Sequence, residues 1–253
     1  MFRPRVIPIL LLNGLGLVKS VQFKNYRYIG DPINAVKIFN DLKADELIFL
    51  DILASKENRC VSLDFVRNVG DEANMPFGVG GGIKTIKDIK VIINAGAEKV
   101  IINSSAVKDP NFIKRASNEF GASTIVVSID VKKRFFGNKQ VYIIGGRKAT
   151  GLDPVAFAKL IEKKGAGEII INSIDKDGLM SGYDLELIKE VSKAVSIPVV
   201  AAGGAGSIID FKLAISSYAS AVSAGSMFVY HGSRKAVLVN YPSKDKLSKV
   251  FIG

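Results

Sequence analysis

A single cysteine, a single histidine and no apolar run long enough to cross a bilayer set the first limits on this 253-residue chain. Cys60 has no partner, so an internal disulfide is excluded. The chain suits a reducing cytosol, with Cys60 as a small buried or indifferent residue. His231 lies beyond the last predicted strand, so neither a Ser-His-Asp triad nor a histidine-based metal site can be built, and no metal or cofactor is expected. The longest nearly uncharged run, Val6 to Val18, is broken by Pro8, Asn13, Gly14 and Gly16 and falls short of the ~20 apolar residues of a spanning helix. The start lacks a small-residue cleavage site after an apolar core, so no signal peptide is expected. No Pro/Ser-rich linker or low-complexity block divides the chain.

Acidic charge is also in deficit: the net charge is +11. The lysines, however, are scattered along predicted helices, as in Lys84, Lys87 and Lys90 or Lys159, Lys163 and Lys164, and no aromatic residues interleave with them as stacking platforms. Solvated helix faces account for the excess, and no nucleic-acid or membrane partner is expected. A basic surface does favour approach of a phosphorylated or acidic small molecule.

What the chain has is 48% hydrophobic residues in a regular alternation of short apolar runs and helical stretches. Strands are predicted at Val6–Leu12, Glu46–Asp51, Phe77–Val79, Lys99–Ile102, Ile125–Ile129 (ending at Asp130), Glu168–Asn172, Val199–Ala201 and Ala221–Ala224. Helices are predicted from Pro32 to about Leu42, at Leu63–Ala73, Thr85–Ala95 and Asn111–Phe120, from Pro154, and at Leu185–Val195 and Ile208–Ser216. Eight strands alternating with helices at this length predict one α/β domain, a closed (β/α)8 TIM barrel. The tail around Val237–Tyr241 reads as β-rich, followed by Pro242, rather than as a long closing helix.

The second half repeats the first. Pro32 and Pro154, Glu46 and Glu168, and Pro76 and Pro198 each stand 122 residues apart, so two half-barrels, roughly 1–121 and 122–253, are expected. At the same offset Gly81-Gly82 falls on Gly203-Gly204, and Asn103-Ser104 on Gly225-Ser226. Glycines at strand ends let backbone N–H groups crowd an anion. Two such runs, half a barrel apart on the face where these barrels carry their sites, predict two anion cradles across one mouth. Asp177-Gly178 joins the second cradle.

VIP at the first strand, DELIFLDI, VGGGI, AGAEKVIINSSAV, VVSIDVK, GGRKATG, INSIDKDG, GYDLELI and SIPVVAAGGAG together resemble the cyclase subunit of imidazole glycerol phosphate synthase, from about Arg5 to Phe228. The resemblance implies a duplicated (β/α)8 barrel that receives ammonia from a glutaminase subunit and applies it to a substrate with two phosphates. It implies one phosphate site at Gly81, Gly82, Asn103 and Ser104, and another at Asp177, Gly178, Gly203, Gly204, Gly225 and Ser226. Arg5, Glu46, Lys99 and Glu168, each at the start of a strand, match the family's gate, through which ammonia enters at the N-terminal face.

In the family, aspartates at the ends of strands one and five act as general acid and base. Asp130 stands at the second position, but the first is Leu11: Ile7 to Leu11 lies over Val126 to Asp130. Lys19, the neighbouring family lysine, is present. Leucine transfers no proton, so ordinary cyclisation should be crippled. The resemblance is closest to a divergent branch found with surface-polysaccharide and flagellin-glycan genes. That branch implies ammonia supply, together with a glutaminase and a sugar amidotransferase, for turning an acetamido group into an acetamidino group. Two further readings stay open: a working histidine-pathway cyclase in which another group replaces the missing acid, and a non-catalytic activator of a glutaminase.

Overall fold

The computed structural model describes residues 3–134, 137–232 and 234–252. Eight parallel strands form the barrel: β1 (Arg5–Asn13), β2 (Leu47–Asp51), β3 (Phe77–Gly80), β4 (Lys99–Ile102), β5 (Ile125–Lys133), β6 (Glu168–Ser173), β7 (Val199–Ala202) and β8 (Ala221–Ala224). Each pairs in parallel with its sequence neighbours, and β8 closes on β1. The outer helices are α1 (Pro32–Asp41), α2 (Leu63–Glu72), α3 (Ile86–Asn94), α4 (Pro110–Phe120), α5 (Pro154–Lys163), α6 (Leu185–Ala194), α7 (Ile208–Ser216) and α8 (Lys244–Ile252). The closed (β/α)8 barrel is therefore as expected.

Local chemistry starts these helices. Asp31 and Asp153 accept from the backbone N–H three residues on, each followed by a proline preset for the first turn. Thr85 with Asp88, and Ser207 with Asp210, form capping boxes. The two members of each kind stand 122 residues apart, the offset found in the sequence.

Strand residues alternate between two cores. One face packs against the helices through side chains such as Val6, Leu10, Phe49, Val127 and Ile169. The other fills the bore with Ile7, Ile48, Ile101, Val126, Ile170, Val200, Ala202 and Ala221, with Ile9 and Leu50 packed against them. The period of two thus carries Arg5, Ile7, Ile9 and Leu11 up the inside of β1 from base to mouth.

Two features depart from expectation. First, β1 and β5 run past the barrel rim into antiparallel extensions. Gly16–Val21 and Lys24–Gly30 follow β1, and Lys139–Ile143 and Lys148–Ala149 follow β5. Asp130 consequently lies inside a nine-residue strand rather than at its end. The segment Lys24–Gly30 is mostly exposed, so it lacks the apolar alternation that marks a strand in sequence.

Second, the tail does close with a helix. α8 follows Pro242 and buries Leu247, whereas only Ala236–Val237 of the apparent β run pairs, with Tyr230–His231. A closed barrel has no free edge to accept another strand, so the run packs instead. Tyr241 donates to the Val6 carbonyl at 2.8 Å and stacks near Phe39 and Phe228. His231 is exposed. Among the described residues no helix is long and apolar enough to cross a membrane.

Candidate functional site at the barrel mouth and base

One cavity opens at the C-terminal ends of the strands. It is lined by every residue predicted for the mouth: Leu11, Lys19, Gly81, Gly82, Asn103, Ser104, Asp130, Asp177, Gly178, Gly203, Gly204, Gly225 and Ser226. The other four, Arg5, Glu46, Lys99 and Glu168, gather at the opposite end of the bore.

The turns after β3 and β7 require glycine. Gly82 (φ 67°) and Gly204 (φ 117°) have left-handed backbones, and a Cβ would run into the carbonyls of Arg59 and Gly182 respectively. The loop after β2 holds the first turn in place, with the Val61 N–H donating to the Gly81 carbonyl at 2.9 Å. Asp51, the last residue of β2 and missed in the sequence, is buried and accepts from the N–H groups of Leu53 (3.0 Å) and Ala54 (3.1 Å) and from the Arg59 guanidinium (2.5 Å).

Asp130 is held between two amides. Asn172 donates to Oδ1 at 3.0 Å, and Asn103 donates to Oδ2 at 3.1 Å and to the Ser128 carbonyl at 2.9 Å. Burial pushes the carboxyl up to about 7; the Asn172 hydrogen bond opposes the rise and nearby Asp177 adds to it. A carboxyl near half-ionisation at neutral pH is matched to proton transfer in either direction. Asn103 spends its amide N–H groups here rather than presenting them to an anion, and Ser104 Oγ donates to Asn103 Oδ1 and accepts from the Ile144 N–H, both at 3.1 Å. Asn172 escaped the sequence reading, because its role depends on facing Asp130 across β5 and β6.

The register explains why the equivalent place on the other side is apolar. Asp130 pairs with Asn172, and Leu11 pairs with Leu50, which stands 122 residues before Asn172. An acid–amide pair on one wall therefore faces a leucine pair at the matching place. Lys19 is 5% exposed and donates to the Ile9 carbonyl at 2.6 Å. Burial lowers its ammonium to about 8, opposed by Asp177, and the same burial raises Asp177 to about 6, opposed by Lys19.

At the base, Lys99 Nζ reaches Glu46 at 2.9 and 3.1 Å and Glu168 at 2.9 Å, while the Arg5 guanidinium bonds both carboxylates. Two cations and two anions form a closed ring across the bore, beneath the isoleucine layer. Burial disfavours the Arg5 charge, yet Glu168 and Glu46 more than offset it and hold the guanidinium above its ordinary value. Glu46 and Glu168 are 2% and 5% exposed, so each carboxylate depends on the ring for compensation. Among the described residues no group of three or more His, Cys, Asp or Glu is disposed to hold a metal.

Fold and site define a (β/α)8 barrel protein with a polar, glycine-turned mouth above an apolar bore and a charge-closed base. The family model described as histidine biosynthesis protein matches residues 5–235. The chain belongs to that family, among the HisF-like subunits of imidazole glycerol phosphate synthase. A Pseudomonas aeruginosa protein, provisionally named imidazole glycerol phosphate synthase subunit hisF2, is 46% identical over 98% of this chain and 99% of its own length. The imidazole glycerol phosphate synthase subunit HisF of Alkaliphilus metalliredigens is 46% identical over 91% and 92%. That of Endomicrobium trichonymphae is 49% identical over 89% and 87%.

Proposed function

We propose that this chain is the ammonia-receiving subunit of a cytoplasmic glutamine amidotransferase complex. A glutaminase docks at the N-terminal face, ammonia passes the ring of Arg5, Glu46, Lys99 and Glu168, and it travels the bore to the mouth. The nitrogen goes to acetamidino modification of a surface-glycan sugar, in company with a sugar amidotransferase. The two glycine cradles, Gly81-Gly82 with Asn103-Ser104 and Asp177-Gly178 with Gly203-Gly204 and Gly225-Ser226, hold phosphate groups of a small molecule. Asp130 is the proton-transfer group, and Lys19, whose charge is coupled to Asp177, is the catalytic cation of the same mouth. The two halves of the barrel descend from one repeat, a reading supported by the capping pairs at a common offset.

The observation that carries this reading is the contrast between ends: a complete charge ring at the base, and Leu11 where a second acid would face Asp130. The test is turnover of the two-phosphate cyclase substrate by purified protein with free ammonium. The expected rate is ~10²–10⁴-fold below that of relatives retaining the acid; a near-ordinary rate overturns the proposal. Transfer of amide ¹⁵N from glutamine into an acetamido sugar by the reconstituted complex is the positive counterpart.

A second reading has its own support. Asp177 is a further buried acid lining the mouth, raised to about 6, and could stand in for the missing carboxyl of a working cyclase. That version predicts complementation of a histidine auxotroph, and failure to complement rejects it.

A further inference from the structure

We propose that the first cradle takes a diphosphate: one phosphoryl group seats at Gly81-Gly82 and Ser104, and the next lies just outside the mouth in a basic pocket flanked by Lys84 and Lys108. The inference rests on reading Gly81-Gly82 with Asn103-Ser104 as a phosphate cradle. It makes the ligand a diphosphate ester, the chemical class that includes nucleotide-activated sugars.

The pocket adjoins the cradle directly. A second cavity, of about 210 Å³, lies between the loops after β2, β3 and β4. Gly82, Ser104, Ser55 and Ser105 line both it and the mouth cavity, so the cradle is the edge that the two share. Opposite, Ile144 lines the pocket and its neighbour Gly145 the mouth. The Ile144 N–H donates to Ser104 Oγ at 3.1 Å and holds that turn against the shared edge.

The charge of the pocket is out of balance. Three cations line it, Arg59, Lys84 and Lys108, against one acid, Asp109. Arg59 is bound by Asp51 and Glu57, and Asp109 by Arg115 at 2.8 Å. Lys84 Nζ reaches neutral oxygens, Asn58 Oδ1 at 2.9 Å and the Asn58 carbonyl at 3.3 Å. Neither Lys84 nor Lys108 enters an ion pair within 4 Å among the described residues. Each also stands immediately before a helix N-cap, Lys84 before Thr85 of α3 and Lys108 before Asp109 of α4. The N-terminal end of a helix carries partial positive charge, which disfavours a cation and stabilises an anion. The carboxylates of the two caps are already engaged: Asp88 accepts from the Lys84 and Thr85 N–H groups, and Asp109 from the Asn111 N–H and Arg115. Two lysines and two helix ends thus meet at one pocket with their charge unanswered. A lone phosphate in the cradle leaves them so. Adjacent phosphoryl groups share one bridging oxygen, so a diphosphate passes from cradle to pocket without a spacer.

The experiment titrates the full chain with inorganic pyrophosphate and, separately, with inorganic phosphate, followed through backbone amide resonances. Gly82 and Ser104 report the cradle; Lys84 and Lys108 report the pocket. Pyrophosphate should move both sets and bind roughly tenfold or more tightly than phosphate. Lys84→Gln with Lys108→Gln should weaken pyrophosphate roughly tenfold or more, as expected for loss of charge-assisted bonds, and leave phosphate at the cradle within about twofold. Lys84→Arg with Lys108→Arg should retain pyrophosphate binding. Lys87→Gln with Lys90→Gln removes the same charge from α3 outside the pocket and should leave both affinities unchanged. Equal affinity of the parent for the two anions, unchanged pyrophosphate affinity in the Lys84 and Lys108 glutamine variant, or an equal loss in the Lys87 and Lys90 control overturns the proposal while the cradle stands. Silence of Gly82 and Ser104 toward both anions rejects the cradle reading itself, and the diphosphate with it.

Discussion

Replacing Glu168 by Gln removes one of the two anions from the ring at the base and leaves Arg5 and Lys99 to share Glu46. Glu168 is nearly inaccessible (6%), whereas Arg5 and Lys99 side chains keep 32% and 19% of their surface. Breaking a fully buried pair by removing one partner costs about 3–5 kcal/mol; the water retained by both cations reduces that here to roughly 2–3 kcal/mol. For a domain of this size that corresponds to a fall in Tm of roughly 5–10 °C. Lys99→Met alone strands the opposite charge, because Arg5 must then compensate both carboxylates. The double variant returns the ring to one cation and one anion. It should therefore be less destabilised than the sum of the single changes, by ~1–3 kcal/mol. Urea unfolding of the four proteins, closed as a double-mutant cycle, measures the coupling. Single variants within ~0.5 kcal/mol of the parent, or additive behaviour, would refute the claim that these four charges act as one compensated unit.

Three other substitutions probe the mouth. Leu11→Asp restores an acid at the place that matches Asp130 and should raise ammonium-dependent cyclisation of the two-phosphate substrate by ~10²–10⁴-fold, read by product formation; no gain means the leucine is not what limits that chemistry. Asp130→Asn should flatten a stability slope. With a folded pKa of about 7 against an unfolded value near ~3.9, the native state holds the extra proton between those limits, so parent stability falls as pH rises from ~4 to ~7. Melting curves across that window should decline less for the variant. Gly82→Ala forces a side chain into a left-handed backbone and against the Arg59 carbonyl, so a loss of at least ~1 kcal/mol is expected, together with loss of the response of the Ser104 amide to added phosphate. A fully stable Gly82→Ala with phosphate binding retained would contradict the turn geometry.

Much of this molecule is legible along the chain, because its signals are local. Apolar runs mark the eight strands, Asp31-Pro32 and Asp153-Pro154 mark helix starts, and Gly81-Gly82 and Gly203-Gly204 mark turns whose backbone no other residue adopts without strain. The 122-residue offset, Asp130 and the leucine at position 11 are also visible there. Each of these depends on a residue and its near neighbours, through propensity, period or backbone freedom.

What only the closed barrel decided depends on partners far apart in sequence. Asp130 is held by Asn103 and Asn172, donors 27 and 42 residues away that meet it through strand register, and owes its raised pKa to burial inside the barrel. The four base charges become one neutral ring only when β1, β2, β4 and β6 curve round the same axis. The apparent β tail packs beside a closing helix because closure leaves no strand edge to join. Lys19 and Ser20 sit on a hairpin whose exposed second strand carries no apolar alternation. It is folding over the barrel mouth that buries this lysine and serine, leaving Lys19 bonded to the Ile9 carbonyl and the Ser20 hydroxyl without a hydrogen-bond partner among the described residues. Composition and spacing thus determine which elements form, whereas burial and register determine which side chains are left with charge, or a hydrogen bond, to give.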